Sequence, residues 1–166
     1  MCIRDRLEVA QPIFNGLLEP VVSQILQIIT SMVEVIKNSG GQFGSGPFHI
    51  DVIASLIDEL KLFGAATRRV SHLSEGNQHL LSSIVSQVWP AIVELLNIVC
   101  PVLWPELSRR TEDRTAERDI DLIPAVCDMC TQVMQALDEN FSPFLGSTAD
   151  ALVSLFQTTQ VHPANM

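Results

Sequence analysis

Residues 125–156 read AVCDMCTQVMQALDENFSPFLGSTADALVSLF, and the spacing of their apolar side chains predicts two helices joined by a short turn. Apolar residues recur three or four positions apart, as on one face of an α-helix. In the first helix they are Ile123, Val126, Cys127, Cys130, Val133, Met134 and Leu137, and in the second Phe144, Leu145, Leu152, Leu155 and Phe156. NFSP predicts the turn, and Ser147 followed by Asp150 predicts a capping box.

The same helical spacing recurs towards the N-terminus. It predicts helices over residues 21–36, 50–63 and 79–104, separated by polar or Gly-rich stretches at 38–47, 71–78 and 105–119. Pro20 is expected at the start of the first helix, where a missing N–H costs nothing. Pro90 and Pro101 are expected to kink or split the third.

Composition supports a folded, all-α chain. Of the 166 residues, 47% are hydrophobic and 17% charged, which argues against intrinsic disorder. Helices without strands leave two architectures, a closed bundle and an α-solenoid of antiparallel HEAT-type helix pairs. The predicted helix starts near Pro20, His79 and Ser142 lie further apart than the roughly 40–47 residues of a plain HEAT repeat.

Residues 80–96, LLSSIVSQVWPAIVELL, and residues 121–163 are similar to the central HEAT repeats of importin-beta superfamily nuclear transport receptors (karyopherins). The transportin-SR and importin-thirteen branch is the nearest subgroup. Its pattern places VWP in the first helix of a repeat, VC in the second, and a Leu and an FxP after it. The matching positions are Val88-Trp89-Pro90, Val126-Cys127, Leu137, Phe141 and Pro143. The connector from Pro101 to Asp119, with a second WP at Trp104-Pro105, is longer than in the pattern.

This resemblance implies that residues 7–166 form a HEAT-repeat α-solenoid fragment of a receptor that shuttles between cytoplasm and nucleus. It implies Ran binding and protein transport, with import rather than export as the task. The expected partners are basic or Arg-Ser-rich cargo proteins, GTP-bound Ran and the Phe-Gly repeats of nucleoporins. The sequence shows no catalytic motif, so no enzymatic activity and no cofactor are expected. A HEAT scaffold or adaptor unrelated to transport remains the first alternative.

The second alternative is a small helical domain that binds a metal or ligand through Cys127 and Cys130. A metal site usually needs four converging ligands, and His49, His72, His79 and His162 are scattered along the sequence. A redox CxxC is expected at a helix N-terminus, where the helix dipole lowers the thiol pKa, whereas this pair falls within a helix. Both thiols are therefore interpreted as core residues.

The first six residues, MCIRDR, resemble the translation of a transposon-end sequencing adapter (ATG-TGT-ATA-AGA-GAC-AG). They are expected to be an artefact, which lowers the native cysteine count from four to three. An odd, sparse set of cysteines is not a disulfide framework and indicates a reducing compartment.

Charge restricts the partners. The formal net charge is −9, from 10 Lys and Arg against 19 Asp and Glu, which disfavours direct nucleic-acid binding and favours basic proteins. Residues 84–104 are long and apolar enough for a membrane span, but Glu94 and two prolines interrupt them, so no membrane insertion is expected. The candidate protein-binding residues are Arg109, Arg110, Arg114 and Arg118, although pairing with nearby carboxylates is the expected state of such a mixed-charge run.

Overall fold

The computed structural model describes residues 3–39, 46–73, 78–105 and 122–161, and all of them except His49 are helical. No strand occurs in these ranges, so the prediction of an all-α chain is confirmed. The helices are α1 (Ile3–Ser39), a 3-10 turn (Gly46–Phe48), α2 (Ile50–Leu73), α3 (Gln78–Glu94, continuing through a π-helical turn at Leu95–Val99 to Pro105), α4 (Leu122–Leu137), a second 3-10 turn (Asp138–Phe141) and α5 (Ser142–Val161).

The predicted start of the first helix at Pro20 is wrong, because α1 already begins at Ile3. A proline inside a helix leaves the carbonyl four residues earlier without its N–H partner. That carbonyl belongs to Gly16, which is exposed like Pro20, so water can donate the missing hydrogen bond. Because α1 includes residues 3–6, the expected boundary of the adapter-derived residues falls within a helix, and their origin stays a prediction.

Neither proline divides α3 into two helices, contrary to one of the two predicted outcomes. Pro90 lies within the helix. Directly before Pro101, the turn Leu95–Val99 widens, and the N–H of Cys100 donates to the carbonyl of Leu95, five residues earlier. A π turn of this kind inserts a residue into the helical ladder, which lets the chain pass a residue without an N–H.

The turn between α4 and α5 is confirmed, but the predicted capping box is wrong. Asp138 has a φ of 52°, a left-handed conformation that ends α4 and that Asp tolerates better than most residues. α5 then begins at Ser142, with Pro143 in the first turn, where a missing N–H is harmless. Ser147 lies inside the helix, and its hydroxyl donates to the carbonyl of Phe144 at 3.2 Å.

The helices pack in two rows. α1, α3 and α5 form one row, in which α3 and its π turn contact α1 on one side and α5 on the other. α2 and α4 form the second row and share the most extensive helix–helix contact of the described chain. Consecutive helices also touch across the rows, α1 with α2, α2 with α3 and α3 with α4. Among the described residues, α1 contacts neither α4 nor α5, so the two ends of the rows do not meet.

One continuous hydrophobic cluster fills the space between these helices. Its largest fully buried side chains include Trp89, Phe48, Phe63 and Met32. At Gly64 on α2 the packing is close, because an added Cβ would lie 3.3 Å from the Cα of Met129 on α4 and would collide with the Gln132 amide. A small residue at position 64 therefore lets α2 and α4 lie side by side.

Two segments are long and apolar enough to cross a membrane by length and composition, Leu18–Asn38 and Leu81–Pro105. Of the most apolar stretch of each segment, 39% and 44% respectively is buried against the rest of the protein, and a core helix passes the same test. Apart from Pro20, every exposed residue between positions 19 and 38 is polar, such as Gln24, Ser31 and Glu34. A polar exposed face is typical of a core helix beside water. The absence of membrane insertion stays a prediction.

Candidate protein-binding surface

Three aromatic side chains meet where α3, the second 3-10 turn and α5 join. The rings of Trp89 and Phe141 are edge to face, with centroids 5.3 Å apart and planes at 89°. Phe144 closes the group at 6.0 Å from Trp89 and 5.8 Å from Phe141. Such pairs add about 0.5–1.5 kcal/mol each beyond their buried area. The cluster thus ties α5 to the middle of α3.

A buried chain of hydrogen bonds fixes the rotation of α5. The indole Nε1–H of Trp89 donates to the hydroxyl of Thr148 at 2.8 Å, and that hydroxyl donates to the carbonyl of Phe144 at 2.6 Å. Trp89 and Thr148 are each only 1% exposed, and the indole N–H and the threonine hydroxyl both have partners without help from water. The side of α5 that carries Thr148 therefore faces the core.

Five of the eight residues that carry the sequence resemblance have packing positions in this structure, whereas Cys127 is partly buried and Pro90 and Pro143 are exposed. Val88, Trp89, Val126, Leu137 and Phe141 are all buried, and none is exposed by more than 3%. The sequence did not indicate Thr148 as the partner of Trp89, because the two residues lie 59 positions apart. These positions hold helices together and supply no reactive group.

Three cysteines come together between the end of α3 and α4. Cys100 and Cys130 are buried and Cys127 is partly buried, and all three are free thiols. Burial raises the pKa of Cys130 to about 12, with a further contribution from the proximity of Cys127. Burial also raises the pKa of Cys100, and proximity to Cys127 and Cys130 adds to it. Nothing in the sequence indicated that Cys100 joins the other two.

This environment favours the structural interpretation of the thiols. Burial, followed by the charge of Asp128, raises the pKa of Cys127, so all three groups stay protonated at neutral pH. Redox exchange requires the thiolate. In the described part of the chain, no group of three or more His, Cys, Asp or Glu residues is arranged to hold a metal ion.

Because the buried thiols are protonated in the folded state, the stability of the protein should change with pH in the alkaline range. Unfolded thiols ionise near 9.0, whereas Cys130 does so at about 12 in the folded chain. Between these values the unfolded state loses protons first, so the free energy of unfolding should fall as pH rises through this window. Urea titrations at pH 7 to 11 measure the slope, and the chain contains no Tyr that would add to it. Cys100→Ala with Cys130→Ala should flatten the slope, and an unchanged slope would contradict this origin.

The candidate arginines Arg109, Arg110, Arg114 and Arg118 lie outside the described residues, so their part in protein binding stays a prediction. The basic side chains of the described ranges include Lys37 on α1 and Lys61, Arg68 and Arg69 on α2. Residues 122–161, which form α4, the second 3-10 turn and α5, contain four acidic residues and neither Lys nor Arg.

α5 carries a second apolar face, which is exposed. Leu145 is 50% exposed, Val153 56% and Phe156 62%. With Ala149 and Leu152 they recur at helical spacing along one side of α5, which we call the α5 stripe. The side chains that face the core are Phe144, Thr148, Ala151 and Leu155 instead. The sequence pattern placed Leu145 and Phe156 on one face of the helix with Phe144 and Leu155, and this is wrong, because the side that carries Thr148, bonded to Trp89, is buried while Leu145 and Phe156 are exposed.

A weaker version of this pattern occurs on α4. Met134, which the sequence pattern placed on the apolar face of this helix, is 39% exposed, and Ile123 and Cys127 on the same side are only partly buried. Met129 and Gln132 are on the opposite side of α4, next to Gly64 of α2. Both α4 and α5 thus present apolar side chains away from the helices that precede them in the rows.

Comparison with known proteins adds no identification, since no family model, no curated protein and no solved structure matches this chain.

Proposed function

We propose that this chain is a section of a HEAT-type α-solenoid that binds proteins and has no enzymatic activity. We propose further that the protein to which it belongs is a nuclear transport receptor of the importin-beta superfamily, acting in import. The proposed partners are basic or Arg-Ser-rich cargo, GTP-bound Ran and Phe-Gly nucleoporins, and the proposed location is both cytoplasm and nucleus.

The observation that carries the solenoid proposal is the pair of open rows. In a HEAT solenoid, the first helices of successive repeats stack in one row and the second helices in another. The contacts of α1, α3 and α5, and of α2 with α4, follow this scheme. A closed bundle would bring the first helix against the last, and the described residues of α1 and α5 share no contact.

The transport proposal is supported by the motif residues. Trp89 from the VWP segment and Phe141 from the FSP segment stack on each other, although 52 residues separate them in sequence. A pattern whose members meet in space is better support than a match to scattered surface residues would be. The exposed ends of the two rows, on α4 and α5, also fit a repeat that stacks on neighbours.

The acidic surface supports basic cargo. Exposed carboxylates include Glu34, Asp58, Glu94, Asp128 and Asp150, distributed over all five helices. The net charge of −9 creates a negative field that attracts basic segments and accelerates encounter. It also disfavours direct binding of nucleic acid, whose phosphates need Lys and Arg.

A pull-down with the protein at its native length tests this function. We expect basic or Arg-Ser-rich segments to be retained and then released by GTP-locked Ran, and Phe-Gly repeats to be retained. Cargo binding should weaken as salt rises, because charges are screened beyond a Debye length of about 8 Å at physiological ionic strength. GDP-bound Ran is the matched control.

Cargo retention that ignores GTP-locked Ran, together with no retention of Phe-Gly repeats, would refute the transport proposal. The chain would then be a HEAT scaffold or adaptor of another process. The argument for a solenoid would be unaffected, because it rests on the open rows of helices and not on Ran binding. The metal-binding alternative is tested on the chain alone, by sedimentation with added zinc, which measures whether zinc travels with the protein.

A further inference from the structure

We propose that Ser71, in the last turn of α2, is a phosphorylation site for a serine kinase of the Arg-directed class, which recognises Arg68 and Arg69. The inference adds a regulatory modification to the chain and uses neither cargo nor Ran. It therefore stands or falls separately from the proposed transport function.

The residues before Ser71 have the pattern that such kinases recognise. Residues 68–71 read RRVS, which places arginines three and two positions before the hydroxyl. Kinases of this class select substrates by charge pattern, through carboxylates in the cleft that pair with the guanidinium groups. Ser71 is the only Ser or Thr of the whole sequence with Lys or Arg three positions before it. The chain therefore offers a kinase of this class a single site.

Both arginines are accessible to a kinase. Arg68 and Arg69 are exposed, and neither forms an ion pair with another residue of the described ranges. In those ranges they are the only two basic residues that adjoin each other in sequence. The net charge of −9 makes most of the surface repel a cleft lined with carboxylates. The arginine pair is thus a local region of attraction on an acidic chain.

The Ser71 hydroxyl lies at an end of its helix. The residue is partly exposed, and its hydroxyl donates to the carbonyl of Arg68 at 2.7 Å, a local bond within the same turn. α2 ends at Leu73, two residues later, and the last four carbonyls of a helix have no intrahelical partner. Fraying ends open at far lower free energy than the core does. This segment can therefore leave the helical conformation while the rest of α2 stays folded.

Recognition requires this end of α2 to unwind. In the helix, Arg68 and Ser71 lie on one side, whereas Arg69 is rotated by about 200° from Ser71. A cleft that reads both arginines together must therefore bind the segment in an extended form. Val70 is 2% exposed and is the buried side chain between the arginines and the serine. Because its burial opposes unwinding, the rate of modification should depend on how tightly Val70 is held.

The chemistry is a phosphoryl transfer from ATP, which the kinase binds together with Mg²⁺. A bond forms between Ser71 Oγ and the γ-phosphorus, and the bond from that phosphorus to the bridging oxygen breaks, so that ADP leaves. The hydroxyl proton passes to the catalytic Asp of the kinase. The product carries about −1.5 to −2 charges at pH 7 and lies three residues after Arg68, within reach of its guanidinium. Phosphorylation therefore offsets the positive charge of the arginine pair.

The test is phosphorylation of the full chain by the catalytic subunit of cyclic-AMP-dependent protein kinase, an Arg-directed enzyme, with Mg²⁺ and ATP. Intact-mass spectrometry should show one added phosphate per chain, and fragmentation should place it on Ser71. Ser71→Ala should accept none.

Variants of the arginines test recognition. Arg68→Gln and Arg69→Gln should each slow the reaction at least about tenfold, because each loses a charged contact with the cleft. Both side chains are exposed, so circular dichroism and melting should not change. Lys37→Gln is the matched control, since it removes the same charge from an exposed position of α1 and should leave the rate unchanged.

A variant of the buried valine tests the unwinding. Well below its melting temperature, Val70→Ala should be phosphorylated about threefold faster or more, because less apolar area opposes unwinding. Val153→Ala is the control, since Val153 is 56% exposed on α5 and should change nothing. An unchanged rate for Val70→Ala would refute the unwinding step. No phosphate on the folded chain, phosphate on another hydroxyl, or equal rates for Arg68→Gln, Arg69→Gln and Lys37→Gln would overturn the proposal.

Discussion

Trp89→Ala is expected to lower the free energy of unfolding by about 4 kcal/mol, the largest loss expected from a single substitution in this chain. The indole is 1% exposed and stacks on Phe141 and Phe144, so its removal leaves a cavity where α3 and α5 meet. It also removes the donor that fixes Thr148. At about 2–4 °C per kcal/mol for a domain of this size, the melting temperature should fall by roughly 10 °C.

Urea denaturation monitored by circular dichroism measures this loss. Conservative variants separate the contribution of the hydrogen bond from that of the ring. Trp89→Phe keeps a ring but loses the N–H, and because the hydroxyl of Thr148 still donates to Phe144, we expect a loss of about 1–2 kcal/mol. Thr148→Val leaves the buried indole N–H without an acceptor and should cost a similar amount. The two together should cost less than their sum, since they remove the same bond.

Leu62→Ala is the matched control for Trp89→Ala, because its side chain is large, apolar and half exposed, and it should cost less than about 1 kcal/mol. A loss of that small size for Trp89→Ala would mean that the aromatic cluster does not join α3 to α5 in solution.

Gly64→Leu is expected to destabilise the chain by about 2 kcal/mol or more, because the longer side chain must push α2 away from α4. The Cα of Met129 is 3.3 Å from the position of a Cβ at residue 64, and backbone cannot move aside as a side chain can. The gain in helix propensity over glycine, about 1 kcal/mol, offsets only part of this cost. Gly64→Ala meets the same Met129 backbone with its Cβ but adds nothing beyond it, so with the Gln132 side chain shifted and the gain in helix propensity we expect a cost clearly smaller than that of Gly64→Leu.

Gly146 is the control for Gly64, because it lies in a helix as well but has nothing within 4 Å of an added Cβ. Gly146→Leu and Gly146→Ala should both raise the free energy of unfolding, by about 0.5–1 kcal/mol. The sign of the change is therefore opposite at the two glycines. Stabilisation by Gly64→Leu would show that α2 and α4 are not in close contact.

The local content of the fold could be predicted from the sequence because helical periodicity is a property of neighbouring residues. The apolar positions of 21–36, 50–63 and 122–137 placed three helices with their buried faces, and the turn after Leu137 was expected. Helix ends were less predictable. Pro20 is compatible with a helix start or with an exposed interior position, and only the surrounding structure decides between them.

Several features depended on contacts between residues far apart in sequence, and no local pattern contains them. The apolar positions of α5 cover more than one face, so the sequence could not tell which face is buried, and the bond between Trp89 and Thr148 decides it. The approach of Cys100 to Cys127 and Cys130 likewise depends on how α3 packs on α4. The sequence by itself determined helices, their amphipathic character and an acidic surface, because these follow from residue type and spacing. The tertiary structure alone decided the rotation of α5 and hence the stripe that it leaves exposed, because a helix with apolar residues on more than one face is oriented by interlocking of side chains across the core.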